Sequence, residues 1–237
     1  MEEFINGYIV TFDGVCDSNS KPLFAASEMF PPSISDVVKS QLDVFYYCLP
    51  KVPDDLATIG PKVLKAFNVK NRFFHLEFFR LTQDIKGLGK VGEIVALETN
   101  MRAPGGYTPD LLNYANSADC YKAFADSYAF DKTDMDMEKE KYYAACASRR
   151  DEFEYFYSDD DVLRTWMKNI VQYGRYPDVF SGAMGNKYFM ARFKDYDEMI
   201  VFRDFVSRRV GDSVPAPKTN KKRDSQEPIC DRHVDGA

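Results

Sequence analysis

Glu98, Asn100 and Arg102 occupy alternate positions in Glu98-Thr99-Asn100-Met101-Arg102, and Glu77 lies within His75-Leu76-Glu77-Phe78-Phe79. Both segments read as β-strands. Alternate strand residues share a face, so Glu98, Asn100 and Arg102 point one way and Thr99 and Met101 the other. Same-face neighbours lie roughly 7 Å apart along a strand, and an adjacent strand runs about 4.8 Å away. Two carboxylates and an amide oxygen can then converge on one hard cation, with Arg102 placed to meet an anion. Mg²⁺ takes oxygen ligands, keeps several waters and is commonly shared with substrate phosphates. This is the chemistry of an ATP-phosphate site.

Each residue also has a plainer reading. A lone Glu-x-Asn is a weak signal and describes a solvated strand end equally well. Glu77 alone fits an exposed edge, yet it sits among Phe73, Phe74, Leu76, Phe78 and Phe79. A carboxylate in so apolar a strand is rarely buried unless it is paired or metal-bound. Arg102 pairs with Glu98 in the structural reading. His75 reads as structural, with a substrate contact as the alternative. Gly105-Gly106 reads as a turn before a helix, or as backbone amides open to an anion near a helix start. Arg149-Arg150-Asp151 reads as a solvated strand end.

The elements that must hold these residues follow from the pattern. Residues 4–12 and 22–29 read as strands joined by a turn-rich hairpin over 13–20. Apolar spacing predicts a helix over 33–47 and another over 54–67, the second weakened by Gly60-Pro61. A strand at 72–81, a Gly-containing loop at 84–91 and a return strand at 93–100 carry the candidate carboxylates. A tight loop at 103–107 leads to a helix capped by Asp110, and 121–130 continues as helix. Beyond an acidic connector at 131–139, a strand is expected at 141–148 and a helix at 159–171. Two strands then fill 179–193 around Gly185-Asn186, and a helix spans 197–208. Residues 212–237 lose apolar periodicity and read as a disordered tail.

Composition narrows the classes. The chain has 237 residues, 45% of them hydrophobic and 29% charged, which is globular. A net charge of −6 argues against bulk nucleic-acid binding. No apolar run is long enough for a membrane span, and the N-terminus lacks a signal-peptide layout. The five cysteines form no C-x-x-C pair and read as reduced thiols of a cytoplasmic protein. With only His75 and His233, His-based metal sites are nearly excluded.

The strand with Glu77 and the run Leu97-Glu98-Thr99-Asn100-Met101-Arg102-Ala103-Pro104-Gly105-Gly106 resemble the metal-ligand strands of the ATP-grasp superfamily. Glu2-Glu3-Phe4-Ile5-Asn6-Gly7 resembles the hinge that opens its C-terminal half. The resemblance implies an α+β fold: an antiparallel β-sheet packed by helices over residues 1–130, then a smaller β-α-β-α region over 131–211. It implies Glu77, Glu98 and Asn100 as ligands of Mg²⁺, with Mn²⁺ as the alternative ion. Arg102 would be the catalytic residue, meeting phosphate or an acyl-phosphate. Phe79 would lie against the adenine of ATP, and the backbone of Glu3, Phe4 and Ile5 would bond its edge.

The implied activity is ATP-dependent ligation of an unidentified carboxylate to an amine or thiol acceptor. The resemblance places the start of the sequence at the hinge, which leaves two expectations: a fragment or truncated reading frame, inactive alone, or a chain whose lobe with the phosphate lysines comes from another chain or a second copy. The alternatives are a nucleotide-binding regulatory protein of the same fold and an interaction module with merely solvated acidic strand ends.

Overall fold

The computed structural model describes residues 5–30 and 43–212. Its centre is an all-antiparallel sheet of nine strands. Strand β1 (Gly7–Cys16) pairs along its whole length with β5 (Arg72–Leu81), the longest ladder in the molecule. Outside β5 lies the edge strand β6 (Ile94–Asn100). On the other side of β1, β3 (Glu28–Phe30) leads to β4 (Phe45–Cys48), β7 (Tyr143–Arg149), β9 (Lys187–Phe193) and β8 (Ile170–Arg175). Strand β2 (Pro22–Ala26) forms a hairpin with the end of β1. The expected α+β class, an antiparallel sheet packed by helices, is therefore observed.

Both sheet faces are covered, and the sequence alternation shows how. Val10, Phe12, Tyr47, Leu76 and Phe78 point to one face. There they meet Leu56 and Leu64 of α1 (Asp54–Ala66) and Met199, Phe202 and Val206 of α6 (Tyr196–Ser207). Val15, Phe24, Tyr46, Cys146 and Met190 point the opposite way. They pack on Leu111, Leu112 and Ala115 of α2 (Thr108–Asn116) and Ala123 of α3 (Cys120–Phe130). Asp119 caps α3 by accepting from the amides of Tyr121 and Lys122, both at 3.0 Å. At its other end Asp131, at φ 55°, accepts from the Ser18 amide at 2.6 Å and from Asn71 at 3.0 Å, anchoring α3 to the loops beneath.

Several expected elements change identity. The helix predicted over 33–47 is not a helix where it is described: 43–44 are irregular and β4 follows, buried at every position. Strands covered on both faces show a continuous apolar run instead of alternation, and such a run can match helical spacing by chance. The part at 33–42 lies outside the described residues. The helix predicted over 159–171 stops as α4 (Asp159–Thr165), which is opened by a Ser158–Asp161 capping box. Ile170 and Val171 then start β8, as β-branched residues favour. Residues 179–184, expected as a strand, form a 3-10 turn and the single-turn helix α5 (Ser181–Met184). The hairpin expected at 13–20 is shorter because β1 runs on to Cys16, so Asp13 lies in a strand.

Arg149 and Arg150 are buried, not solvated. Arg149 donates to the Val206 carbonyl at 2.8 Å and to Asp159 at 2.8 Å, while Arg150 donates to the carbonyls of Ser181 and Gly182. The tail expected to be disordered lies outside the described residues beyond Asp212. No helix among the described residues is long and apolar enough to cross a membrane.

Gly60 shows how tightly α1 is set on the sheet. A Cβ at this position would collide with the Phe12 ring. Replacing a helical Gly by Ala ordinarily stabilises by about 0.5–1 kcal/mol, but overpacking a core costs about 1–3 kcal/mol. Gly60→Ala is therefore expected to lower the urea midpoint, whereas a raised midpoint would mean that α1 does not rest on Phe12.

Candidate functional site

Directly opposed residues of an antiparallel pair share a face, with Cβ atoms about 4.5–5.5 Å apart. Glu77 opposes Glu98 across β5 and β6, and His75 opposes Asn100. On the other flank Glu77 opposes Thr11 of β1, His75 opposes Asp13, and Phe79 opposes Ile9. Glu77, Glu98 and Asn100 thus lie on one sheet face, the face covered further along by α2 and α3. Glu77 is partly buried, Glu98 is exposed, and Asn100 is half-buried with no hydrogen-bond partner for its Nδ2.

Two residues away from Glu77 lies a buried ionic chain that sequence reasoning missed. Asp13 is fully buried, and its Oδ1 lies 2.5 Å from Nδ1 of His75. His75 Nε2 lies 2.9 Å from Oε1 of Glu77. The Thr11 hydroxyl donates to the other Asp13 oxygen and accepts the Glu28 amide at 2.9 Å. With a carboxylate at each ring nitrogen, His75 donates from both as an imidazolium. Burial alone would pull its pKa down, but Asp13, by charge and hydrogen bond, and Glu77 lift it to about 10.

Glu28 closes this row. Burial raises its carboxyl well above the usual range, and the Asp13 charge pushes the same way. Cys48 donates to its Oε1 at 3.4 Å, and Oε2 has no partner. The hidden signal was alternation: Thr11 and Asp13 on β1 match His75 and Glu77 on β5. It was obscured because Asp13-Gly14 also reads as a turn.

Beside His75 and Glu77 opens a cavity of about 530 Å³. Ile9, Phe30, Tyr46, Tyr176, Phe180 and Met184 line it. The loop Pro104-Gly105-Gly106 with Tyr107 and Thr108, where α2 begins, lines it as well. Gly106 sits at φ 58°, a conformation that favours glycine. Tyr46 is buried, with Thr108 and Cys146 near its hydroxyl but no well-formed hydrogen bond to either.

The remaining expected site residues lie apart from this cavity. Strand β6 ends at Asn100 and the chain bends at Met101 and Arg102, so strand alternation no longer aims Arg102. Its Nη1 donates to the Ala103 carbonyl at 2.9 Å, and it borders a shallow depression with Phe73, Phe124 and Tyr128. Phe79 is half-buried beside Gly7 and does not line the cavity. Ile5 is half-buried just before β1, and Glu3 and Phe4 lie outside the described residues. Burial raises the pKa of every described thiol, to about 11 at Cys146 and about 12 at Cys120, so none is primed as a nucleophile.

No protein-family model matches the chain, and no curated protein matches it in sequence. Solved structures do match in fold. Phosphoribosylglycinamide synthetase from Anaerococcus prevotii superposes with a TM-score of 0.58 at 16% identity, over 86% of this chain and 52% of that one. The phosphoribosylaminoimidazole carboxylase ATPase subunit from Aquifex aeolicus gives 0.51 at 13% identity, over 86% and 60%. Pyruvate carboxylase from Rhizobium etli gives 0.51 at 13% identity, over 86% and 19%.

The fold is that of the ATP-grasp enzymes. The chain spans about half the length of the phosphoribosylglycinamide synthetase structure it matches. At these identities the ATP-grasp likeness concerns the fold alone.

The ionic chain has a pH signature. The His75 pKa rises from 6.5 to about 10 on folding, so its stabilisation is complete below pH 6.5 and is lost as pH climbs through 10. The stability advantage of wild type over His75→Gln in urea is expected to be largest in mild acid and to shrink steadily toward pH 10. An advantage that stays constant with pH would show that His75 is not charged in the folded protein.

Proposed function

We propose that this chain binds Mg·ATP on the β5–β6 face and supports ATP-dependent ligation of a carboxylate substrate. The observation that carries this reading is the opposition of Glu77 and Glu98 on one face of the sheet, beside a cavity, in an ATP-grasp fold. The Aquifex aeolicus neighbour is an ATPase subunit by name, which agrees with nucleotide chemistry on such a scaffold.

The residues fit a magnesium ion by donor type. Among the described residues no three His, Cys, Asp or Glu side chains gather as a metal cluster. Two carboxylates and one amide oxygen suffice for an ion that keeps waters and binds phosphate oxygens. Asn100 offers its carbonyl oxygen while its Nδ2 lacks a protein partner. Glu77 has one oxygen taken by His75 and the other available. When bound, the ion would neutralise charge on the transferring phosphoryl group.

The chain's own groups then orient and exclude water. His75, fixed by Asp13, holds Glu77 in one orientation. The Gly105-Gly106 loop and the α2 N-terminus face the same cavity and favour negative charge. Arg102 is assigned to the phosphate after a rotation away from Ala103. In the ligation, a substrate carboxylate oxygen bonds to the γ-phosphorus, and the bond from that phosphorus to the β–γ bridging oxygen breaks. ADP leaves with the electron pair. The acceptor's nucleophile then bonds to the acyl carbon and expels inorganic phosphate.

A second reading is a nucleotide binder without turnover. The outward Arg102, together with the absence of Lys or Arg among the described cavity-lining residues, favours it. Production of ADP that depends on an added carboxylate separates the two.

Glu98→Gln tests the shared claim. Loss of one charged metal ligand is expected to weaken Mg·ATP about tenfold or more in isothermal titration, by analogy with ligand-shell losses of 10–100-fold. Metal-free ATP, relieved of one repelling charge, should bind no more weakly than to the wild type. Equal Mg·ATP affinity in the variant and the wild type would remove Glu98 from the site.

A further inference from the structure

The cavity next to Glu77 has a composition that specifies its occupant more narrowly than "a carboxylate". We propose that it takes the apolar body of an aryl- or alkyl-substituted carboxylic acid, with the carboxylate held at the Gly105-Gly106 and Thr108 end. The role of this acid as acyl donor rests on the ligase reading above; the binding site itself rests on the cavity.

Size comes first. About 530 Å³ lies within the range of pockets that enclose a small organic ligand. It is far more than acetate or bicarbonate would fill. The walls are apolar and aromatic: Phe30, Tyr46, Tyr176, Phe180 and Met184. Tyr176 is fixed by stacking on Tyr107 at 5.8 Å and by contact with Tyr188 at 4.7 Å between ring centres. A preformed apolar wall of this kind favours a ring or a branched chain over a polar sugar.

Charge comes second. No Lys or Arg is among the described residues that line the cavity, so a phosphorylated sugar would find no cationic partner there. The imidazolium of His75 is already met by Asp13 and Glu77. What remains for an anion is the start of α2, the backbone at Gly105 and Gly106, and the hydroxyls of Tyr46, Tyr107, Thr108 and Tyr176. The Tyr46 hydroxyl, on a side chain that is 1% exposed, has Thr108, Cys146 and Tyr176 around it but makes a well-formed hydrogen bond to none of them. A buried donor without a partner is costly, so it is a group that a ligand would complete. An amine would lose the helix-end contribution and meet no free carboxylate other than Glu77.

The test is isothermal titration of the whole chain with hydrocinnamate, phenylpropylamine, acetate and ribose phosphate, each with and without Mg·ATP. Hydrocinnamate is expected to saturate a single site, and the other three are not. Ala183→Trp, which fills the cavity from α5, should abolish that binding and leave Mg·ATP affinity unchanged. Tyr46→Phe should weaken hydrocinnamate about fivefold, the equivalent of one lost hydrogen bond, without lowering thermal stability. A purely structural Tyr46 hydroxyl would give the opposite pattern, lower stability with unchanged affinity.

Tighter binding of ribose phosphate or of the amine overturns the proposal, as does hydrocinnamate binding that survives Ala183→Trp. If Mg·ATP binds and no acid does, this inference fails and the nucleotide reading stands. If hydrocinnamate binds in the cavity and Mg·ATP does not, the binding site stands and the ligase reading fails.

Discussion

The constraint on which the rest depends is the burial of the Asp13 carboxylate in the middle of the longest ladder of the sheet. A buried charge left alone costs several kcal/mol. Here it is met by the imidazolium of His75 directly across the β1–β5 pair. The His75 charge is in turn shared with Glu77, so the ladder's register and the orientation of Glu77 are fixed by one interaction. A one-residue slip would send Asp13 and His75 to opposite faces and bury an unpaired charge. The pair therefore specifies register as well as satisfying charge.

That register decides where chemistry is possible. Along the same face, α2 and α3 cover Val15, Phe24 and Cys146, and their cover ends where α2 begins at Thr108. The sheet surface beyond that edge carries Glu77, Glu98 and Asn100. The loop into α2 supplies part of the cavity lining, and Gly106 permits the turn. One side of the site is thus acidic and suited to a hard cation, and the adjoining side is aromatic and suited to an apolar body. Magnesium bridging to phosphate would reconcile the acidic side with a polyanion, which the two glutamates would otherwise repel.

Much of this was legible in the residues. The β5–loop–β6 unit was readable because an apolar strand, a Gly-containing loop and an alternating return strand leave little choice. The fold class followed from those elements and from the run after Glu98. The direction of the Arg102 side chain was not legible for a local reason: alternation predicts it only while the strand lasts, and the strand ends two residues earlier. Tyr46 was hidden inside an apolar run whose spacing also fits a helix, since a strand buried on both faces has no polar alternation to mark it. The Asp13–His75 pairing was invisible because it is a contact between strands 62 residues apart, set by register and not by local pattern.

The central claim is that Glu77, Glu98 and Asn100 form one cation site that works with ATP. It is tested most directly by adding Mn²⁺ and ATP to isotope-labelled protein and mapping paramagnetic broadening. The account predicts that broadening centres on the backbone amides of Glu77 and Glu98 and the side-chain amide of Asn100, and that it fades with distance across β1. Broadening centred on the acidic start of α4, at Asp159 to Asp161, with β5 and β6 left sharp, would contradict it.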